Sequence, residues 1–263
     1  MDRDGEHGPR WAGGQVMAGG SPLVPGGYAL PEAGLPLDYY LIFATAGDRR
    51  RGAPPSGVLV EEFLLHDDHT AAGIGSAGWT PATGAWRSSP ALSREIRTDA
   101  LLRERVLPVS RADAAGACTM LGGGALPQEA RLRGFFGDCQ ALPTAAPLDL
   151  GSPDGGGGRH YRILFAGDVH EPGLTNLRAS LRLEPVGDPA DPRAQVIGTA
   201  TATPAGHTLT WELRRIGPGI AWCLDVTVSP GAGPASAVGA LLHHHRQAMR
   251  GQGLIPVTIE RFA

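Results

Sequence analysis

The sequence contains no lysine, so all 23 basic residues in its 263 are arginine. That excludes Schiff-base chemistry on a lysine, and it excludes a P-loop, whose turn needs a lysine on the phosphates. Asparagine is almost absent too, with Asn176 the single copy. Both absences, with the 39 glycines and 23 prolines, match the codon bias of a G+C-rich bacterial genome and carry no functional message of their own. Cysteine is scarce: Cys118, Cys139 and Cys223 are too few and too scattered for a disulfide framework or a four-cysteine zinc site. They read as small apolar residues in a reducing compartment. No stretch approaches the roughly 18 uninterrupted apolar residues of a membrane span. The polar N-terminus, MDRDGEHGPRWAGG, lacks the apolar core of a signal peptide. The expectation is a cytoplasmic protein without membrane partners. A formal net charge of -3 gives no reason to expect nucleic acid either.

The most legible stretch is 208–228. Leu209, Trp211 and Leu213 alternate with polar residues, and after Gly217-Pro218-Gly219 so do Ile220, Trp222, Leu224, Val226 and Val228. A period of two, with a reversal between the runs, predicts an antiparallel hairpin with both tryptophans on its buried side. Two indoles and the Arg214-Arg215 pair near one turn also make this hairpin the candidate binding surface.

Around it, composition divides the chain. Residues 1–35 are rich in Gly, Pro and Ala without a period and read as a disordered tail. Residues 36–140 open with two apolar runs of strand length, at 38–45 and 58–65, the second interrupted by Glu61 and Glu62. That interruption predicts a wet face or a strand edge. Residues 66–78 read as a loop or irregular strand. A helix follows from the Ser89-Pro90 cap through Val106, a second runs from Ser110 to Met120, and a short third begins near Pro127. Residues 141–158, dense in Pro and Gly, read as a linker. Residues 159–263 open with HYRILFAGD, which echoes DYYLIFATAGD at 38–48. They continue with strands at 179–186 and 194–203, the hairpin, a helix over 236–250 with Val238, Leu241, Leu242, His245 and Met249 on one stripe, and a last strand at 254–262. The predicted class is α+β in two domains, the C-terminal one an antiparallel β-meander with one helix packed on a face.

Candidate chemistry is sparse. Asp168-Val-His170 ends the run YRILFAGD, and a strand ending in Asp-x-His resembles the opening motif of the calcineurin-like metallophosphoesterases. The resemblance covers about ten residues and implies a divalent-metal site activating water for attack on phosphate. The sequence departs from that family downstream. Asn176 is followed by Leu177, so a Gly-Asn-His motif cannot be built, and Ala205-Gly206-His207 meets Leu209 where a second histidine belongs. His66-Asp67-Asp68-His69 adds potential ligands without an obvious partner element. His243-His244-His245 lie on a predicted helix, where successive residues point about 100° apart and cannot converge on one ion. Gly73-Ile74-Gly75-Ser76-Ala77-Gly78 matches a dinucleotide string without the strand before and helix after that it needs. Arg49-Arg50-Arg51 lies in a loop without interleaved aromatics, which suits solvation or an acidic protein partner. The leading expectation is a non-enzymatic protein-interaction module, immunity-like, adaptor or regulatory, that requires no cofactor and binds another protein. The alternative is a metal-dependent hydrolase using Asp168, His170, His66 and His69. A third reading is a small-molecule sensor with its pocket between helix 236–250 and the sheet.

Overall fold

A computed structural model describes residues 35–142, 158–186, 194–217 and 221–262. The tail expected over 1–35 apart from Leu35, nearly all of the linker expected over 141–158, and Pro218, Gly219 and Ile220 at the hairpin reversal lie outside them. The first half runs β1 (Asp38–Ile42), α1 (Ala46–Arg51), β2 (Gly57–Leu65), β3 (Ala71–Trp79), β4 (Arg87–Ser88), α2 (Pro90–Thr98), α3 (Ala100–Arg103), β5 (Val106–Val109), α4 (Arg111–Met120), α5 (Glu129–Arg133) and β6 (Gln140–Ala141). Its strands form an antiparallel sheet in the order β4-β3-β2-β1-β5, with β6 also on β3. The second half runs β7 (Arg159–Ala166), α6 (Glu171–Ser180), β8 (Glu184–Pro185), β9 (Val196–Ala202), β10 (Thr208–Ile216), β11 (Ala221–Ser229), α7 (Ser236–Arg250) and β12 (Ile255–Arg261). Its antiparallel sheet has the order β12-β7-β11-β10-β9-β8. The fold is α+β, with the β9–β10–β11 meander and α7 packed as the periodicity predicts.

Several local readings change. Of the two readings for residues 66–78, the strand holds for most of them: 66–70 turn, and β3 follows, paired with β2 through a register irregularity at Leu64/Leu65. Its glycines are there for close approach, because a Cβ on Gly75 would lie 2.7 Å from the Phe136 ring and one on Gly73 2.8 Å from the Gln140 carbonyl. Small residues blur the alternation that marks a strand. The helix read across 89–106 breaks at Asp99, whose extended backbone ends α2 and whose carboxylate accepts from the Leu101 and Leu102 amides to cap α3. Val106 then opens β5, an edge strand on which Pro108 is tolerated. The first half of the strand read at 179–186 is the end of α6. Leu174, Leu177 and Leu181 follow the i, i+3, i+7 spacing of a helix and are buried. The echo between 38–48 and 160–168 is real in position: β1 and β7 are interior strands, each flanked by the last long strand of its half, β5 and β12.

Glu61 and Glu62 sit on an interior strand, not an edge, and alternation sends them to opposite faces. Glu62 receives a bidentate Arg133 at 2.8–2.9 Å. Glu61 is fully buried and receives Arg97 of α2 at 3.0 and 2.7 Å. Arg97 also donates through Nε to the Pro256 carbonyl of β12 at 2.8 Å, so the ion pair spans both halves.

Helix α7 completes that junction. From Ala237 onward none of its residues is exposed. Val238, Leu241, Leu242 and Met249 join the core of the second sheet, together with Phe63, Ala71 and Ile74 of the first half. Its other flank carries Arg246, Gln247 and Arg250, which converge on Oδ1 of fully buried Asp38 at 3.5, 2.8 and 3.2 Å. Arg250 also donates to the Tyr39 carbonyl at 3.0 Å, and Arg97 and Arg246 both lie over the Phe63 ring. Burial pushes the Asp38 pKa upward, but Arg246 and Arg250 outweigh it and hold the carboxyl below its ordinary value.

Breaking a buried pair from one side strands a charge, whereas replacing both partners with apolar groups removes the desolvation cost along with the attraction. Glu61→Ala is therefore expected to destabilise the protein by about 3–5 kcal/mol in urea unfolding, and the Glu61→Leu/Arg97→Met double variant by much less.

Candidate functional site

Asp168 and His170 lie in the turn between β7 and α6. The Asp168 carboxylate accepts from the Val169 amide at 2.8 Å and from Trp222 Nε1 at 3.3 Å. His170 is the exposed N-cap residue of α6 and makes no side-chain cap bond. His66 and His69 lie in the β2–β3 turn. Asp68 fixes that turn by accepting from the Thr70 amide and hydroxyl, and lies 3.9 Å from Arg261. His69, at φ 70°, reaches the Ala235 carbonyl with Nε2 at 3.1 Å and packs against Gly239 at the start of α7. Asp68, Asp168 and His69 are thus engaged in turns and contacts between elements. Among the described residues no three of His, Cys, Asp or Glu are grouped as metal ligands.

The three successive histidines of α7 diverge as helical geometry requires. His243 lies 3.5 Å from Arg246, while the His245 ring lies 4.7 Å from that of Trp211. His244 Cβ leaves the helix between them. The space between α7 and the second sheet is filled by packed core side chains.

The hairpin carries the remaining candidates. Trp211 and Trp222 are buried, as the alternation predicts; Trp211 Nε1 donates to the Leu181 carbonyl at 3.0 Å. The same period of two separates the two arginines. Arg215 opposes Trp222 and lies over its ring at 5.1 Å, on the tryptophan side of the sheet. Arg214 faces outward, into a groove of about 270 Å³ lined by β7, β10 and β11 and by Phe262.

Register builds that groove. Glu260, Arg162, Asp225 and Glu212 stand directly opposite one another in a row across β12, β7, β11 and β10. Asp225 and Glu212 are like charges on neighbouring strands, an unfavourable cross-strand pair taken alone. Two guanidiniums offset it. Arg162 is bidentate to Asp225 at 2.6 Å through Nε and Nη2 and lies over the Phe262 ring at 5.1 Å. Arg214 reaches Asp225 at 3.3 Å and Glu212 at 4.0 Å. The Asp225 contact raises the Arg162 pKa, so its charge is permanent. Thr210, His160 and Thr227 extend the row with hydroxyl and imidazole groups, His160 Nδ1 lying 3.0 Å from the Thr227 hydroxyl. Sequence reading found Arg214 but missed Arg162 and Asp225. Their signal was the outward position of each in its strand, which becomes a site only once the strand order is known.

No known family, characterised protein or solved structure matches the chain. No described helix is long and apolar enough to cross a membrane. The groove offers fixed charges, hydrogen-bond donors and acceptors, and one aromatic edge.

The buried histidines make stability depend on pH. Burial, then Arg246, depresses His243 from its ordinary 6.5 to about 4, and burial depresses His245 to about 3. Their contribution is fully present above pH 6.5 and is lost as pH falls toward those values. Burial lowers the His244 pKa as well, so over that window the unfolded chain holds up to three more protons than the fold. Unfolding free energy measured against pH is expected to drop by up to about 1.4 kcal/mol per unit for each of the three between about pH 6 and 4. His243→Gln, which removes one of the three sites, is expected to lower that slope by up to about a third.

Proposed function

We propose that the protein is a non-enzymatic interaction module, working in the cytoplasm as an adaptor, immunity or regulatory protein, and that it meets its partner through the outer face of the second sheet. The observation that carries this reading is the row Glu260–Arg162–Asp225–Glu212 with Arg214. It is a preset pattern of mixed charge, three carboxylates and two guanidiniums, on a sheet face where the described residues line a groove. The first sheet is different. One of its faces packs against α4 and α5 through Ala114, Ala117 and Leu132, and the other against α2, α3 and Ile255. Arg162, Asp225 and Arg214 are half-buried and held by mutual hydrogen bonds, so these three lose little rotamer freedom when a partner docks. Fixed charges of both signs select a partner more by complementarity than by apolar area.

The test is affinity capture of the tagged full-length protein from its native cytosol, with mass spectrometry of retained proteins and metals, beside the Glu212→Arg/Arg214→Glu variant. Reversing both charges inverts the pattern without entering the core. A stoichiometric protein partner that the wild-type chain retains and the variant loses, at unchanged melting temperature, is the expected outcome. A bound divalent metal in place of any partner, or a partner indifferent to the reversal, would contradict it.

A further inference from the structure

Most arginines of this protein that are fixed by side-chain contacts are paired with carboxylates. Arg97 meets Glu61, Arg133 meets Glu62, Arg162 and Arg214 meet Asp225, and Arg246 and Arg250 meet Asp38. One group breaks the pattern. Helix α1, six residues long, ends in Arg49-Arg50-Arg51 and is closed by Gly52 in the left-handed region at φ 66°. Positive residues at a helix C-terminus favour its dipole, which accounts for part of this run. The fold then adds two more arginines beside it. The Phe43 amide donates to the Arg105 carbonyl at 2.9 Å, and Arg49 Nη1 reaches the Glu104 carbonyl at 3.3 Å, which sets α1 against the α3–β5 turn carrying Arg103 and Arg105.

In this group the guanidiniums are positioned mainly by backbone carbonyls. Arg49 donates to Glu104, Arg103 to Ile96 and Arg97, and Arg105 to Phe43, all through main-chain oxygens. A carbonyl fixes a guanidinium without cancelling its charge. Among the described residues the close ion pair in this group is Arg51 with Asp48 at 2.7 Å, while Glu104 acts on Arg49 and Asp99 on Arg103 from further away. The contrast appears in their protonation. Carboxylate partners raise the pKa of Arg97, Arg133, Arg162 and Arg250, while burial lowers that of Arg49 and Arg103 because no carboxylate compensates it fully. The cluster therefore holds an excess of positive charge, on a chain whose formal net charge is -3.

We infer that the face formed by the end of α1 and the α3–β5 turn, with Arg49, Arg50, Arg51, Arg103 and Arg105, docks an acidic protein segment rich in Asp and Glu. This rests on the interaction reading above but uses a separate surface. Carboxylates fit guanidinium forks bidentately, and the cluster offers several at fixed positions. Two features favour a protein segment over nucleic acid. Phe43, the aromatic nearest the cluster in sequence, is buried and gives bases no platform. Leu101, 76% exposed on α3, adds an apolar foothold of the kind protein segments use.

The probe is a fluorescein-labelled decaglutamate peptide, followed by fluorescence anisotropy against the full-length protein. Saturable binding at about 50 mM salt that fades above about 300 mM is expected from screening. Arg50→Glu/Arg51→Glu, at two exposed positions outside the core, is expected to weaken it roughly tenfold or more at unchanged melting temperature. Arg214→Glu, on the outer sheet face, is expected to leave it unchanged. Failure of the peptide to bind, binding indifferent to Arg50→Glu/Arg51→Glu, or tighter binding of a labelled oligothymidylate would each overturn the inference. None of these results touches partner capture through the outer sheet face, so the two readings fail separately.

Discussion

A single carboxylate oxygen, Oδ1 of Asp38, receives Arg246, Gln247 and Arg250 from one flank of α7. Asp38 begins the first strand of the first sheet, while the opposite flank of α7 forms part of the core of the second. The helix is thus held from both sides by interactions of different kinds, apolar on one and ionic on the other. Charges buried this deeply contribute little net stability, but any displacement of α7 would leave several of them unpaired. The ionic side thereby sets the position of the helix, and the apolar side supplies most of the free energy.

That arrangement explains why chemistry is hard to find here. Several acids and histidines are engaged in joining elements. Asp38 and Glu61 bind arginines at the junction, Asp168 takes the Trp222 indole N–H, and His69 reaches across to Ala235. His207 does the same for two loops, with one ring nitrogen on the Gly231 amide and the other on the Pro234 carbonyl. Charged groups not committed to the junction lie outside it: the charged row on the second sheet and the arginine cluster at the end of α1.

Much of the fold was legible because it depends on period. The 208–228 hairpin, the apolar stripe of α7 and the Ser110 cap of α4 all follow from local rules, and Ser110 and Asp113 form the reciprocal capping box such a sequence suggests. The errors came where tertiary context overrode local signals. Glu61 and Glu62 look like an interruption because their partners lie 36 and 71 residues away. β3 looks like a loop or irregular strand because its glycines answer to Phe136 and Gln140, which sequence reading could not place beside it. The groove was half legible: alternation put Arg214 outside and Trp211 inside, but the strand order that brings β7 beside β11 is a global property. It also showed that Arg214 and Arg215, adjacent in sequence, serve opposite faces.

The central claim is that α7 and its buried charges make the two sheets one cooperative unit. Native-state hydrogen exchange across β1, β7 and α7 addresses it most directly. If the claim holds, the slowest amides of both sheets and of the helix open together, at the same free energy as global unfolding. If the β7–β12 sheet opens several kcal/mol below the β1–β5 sheet, the halves are independent bodies and the ionic junction does not couple them.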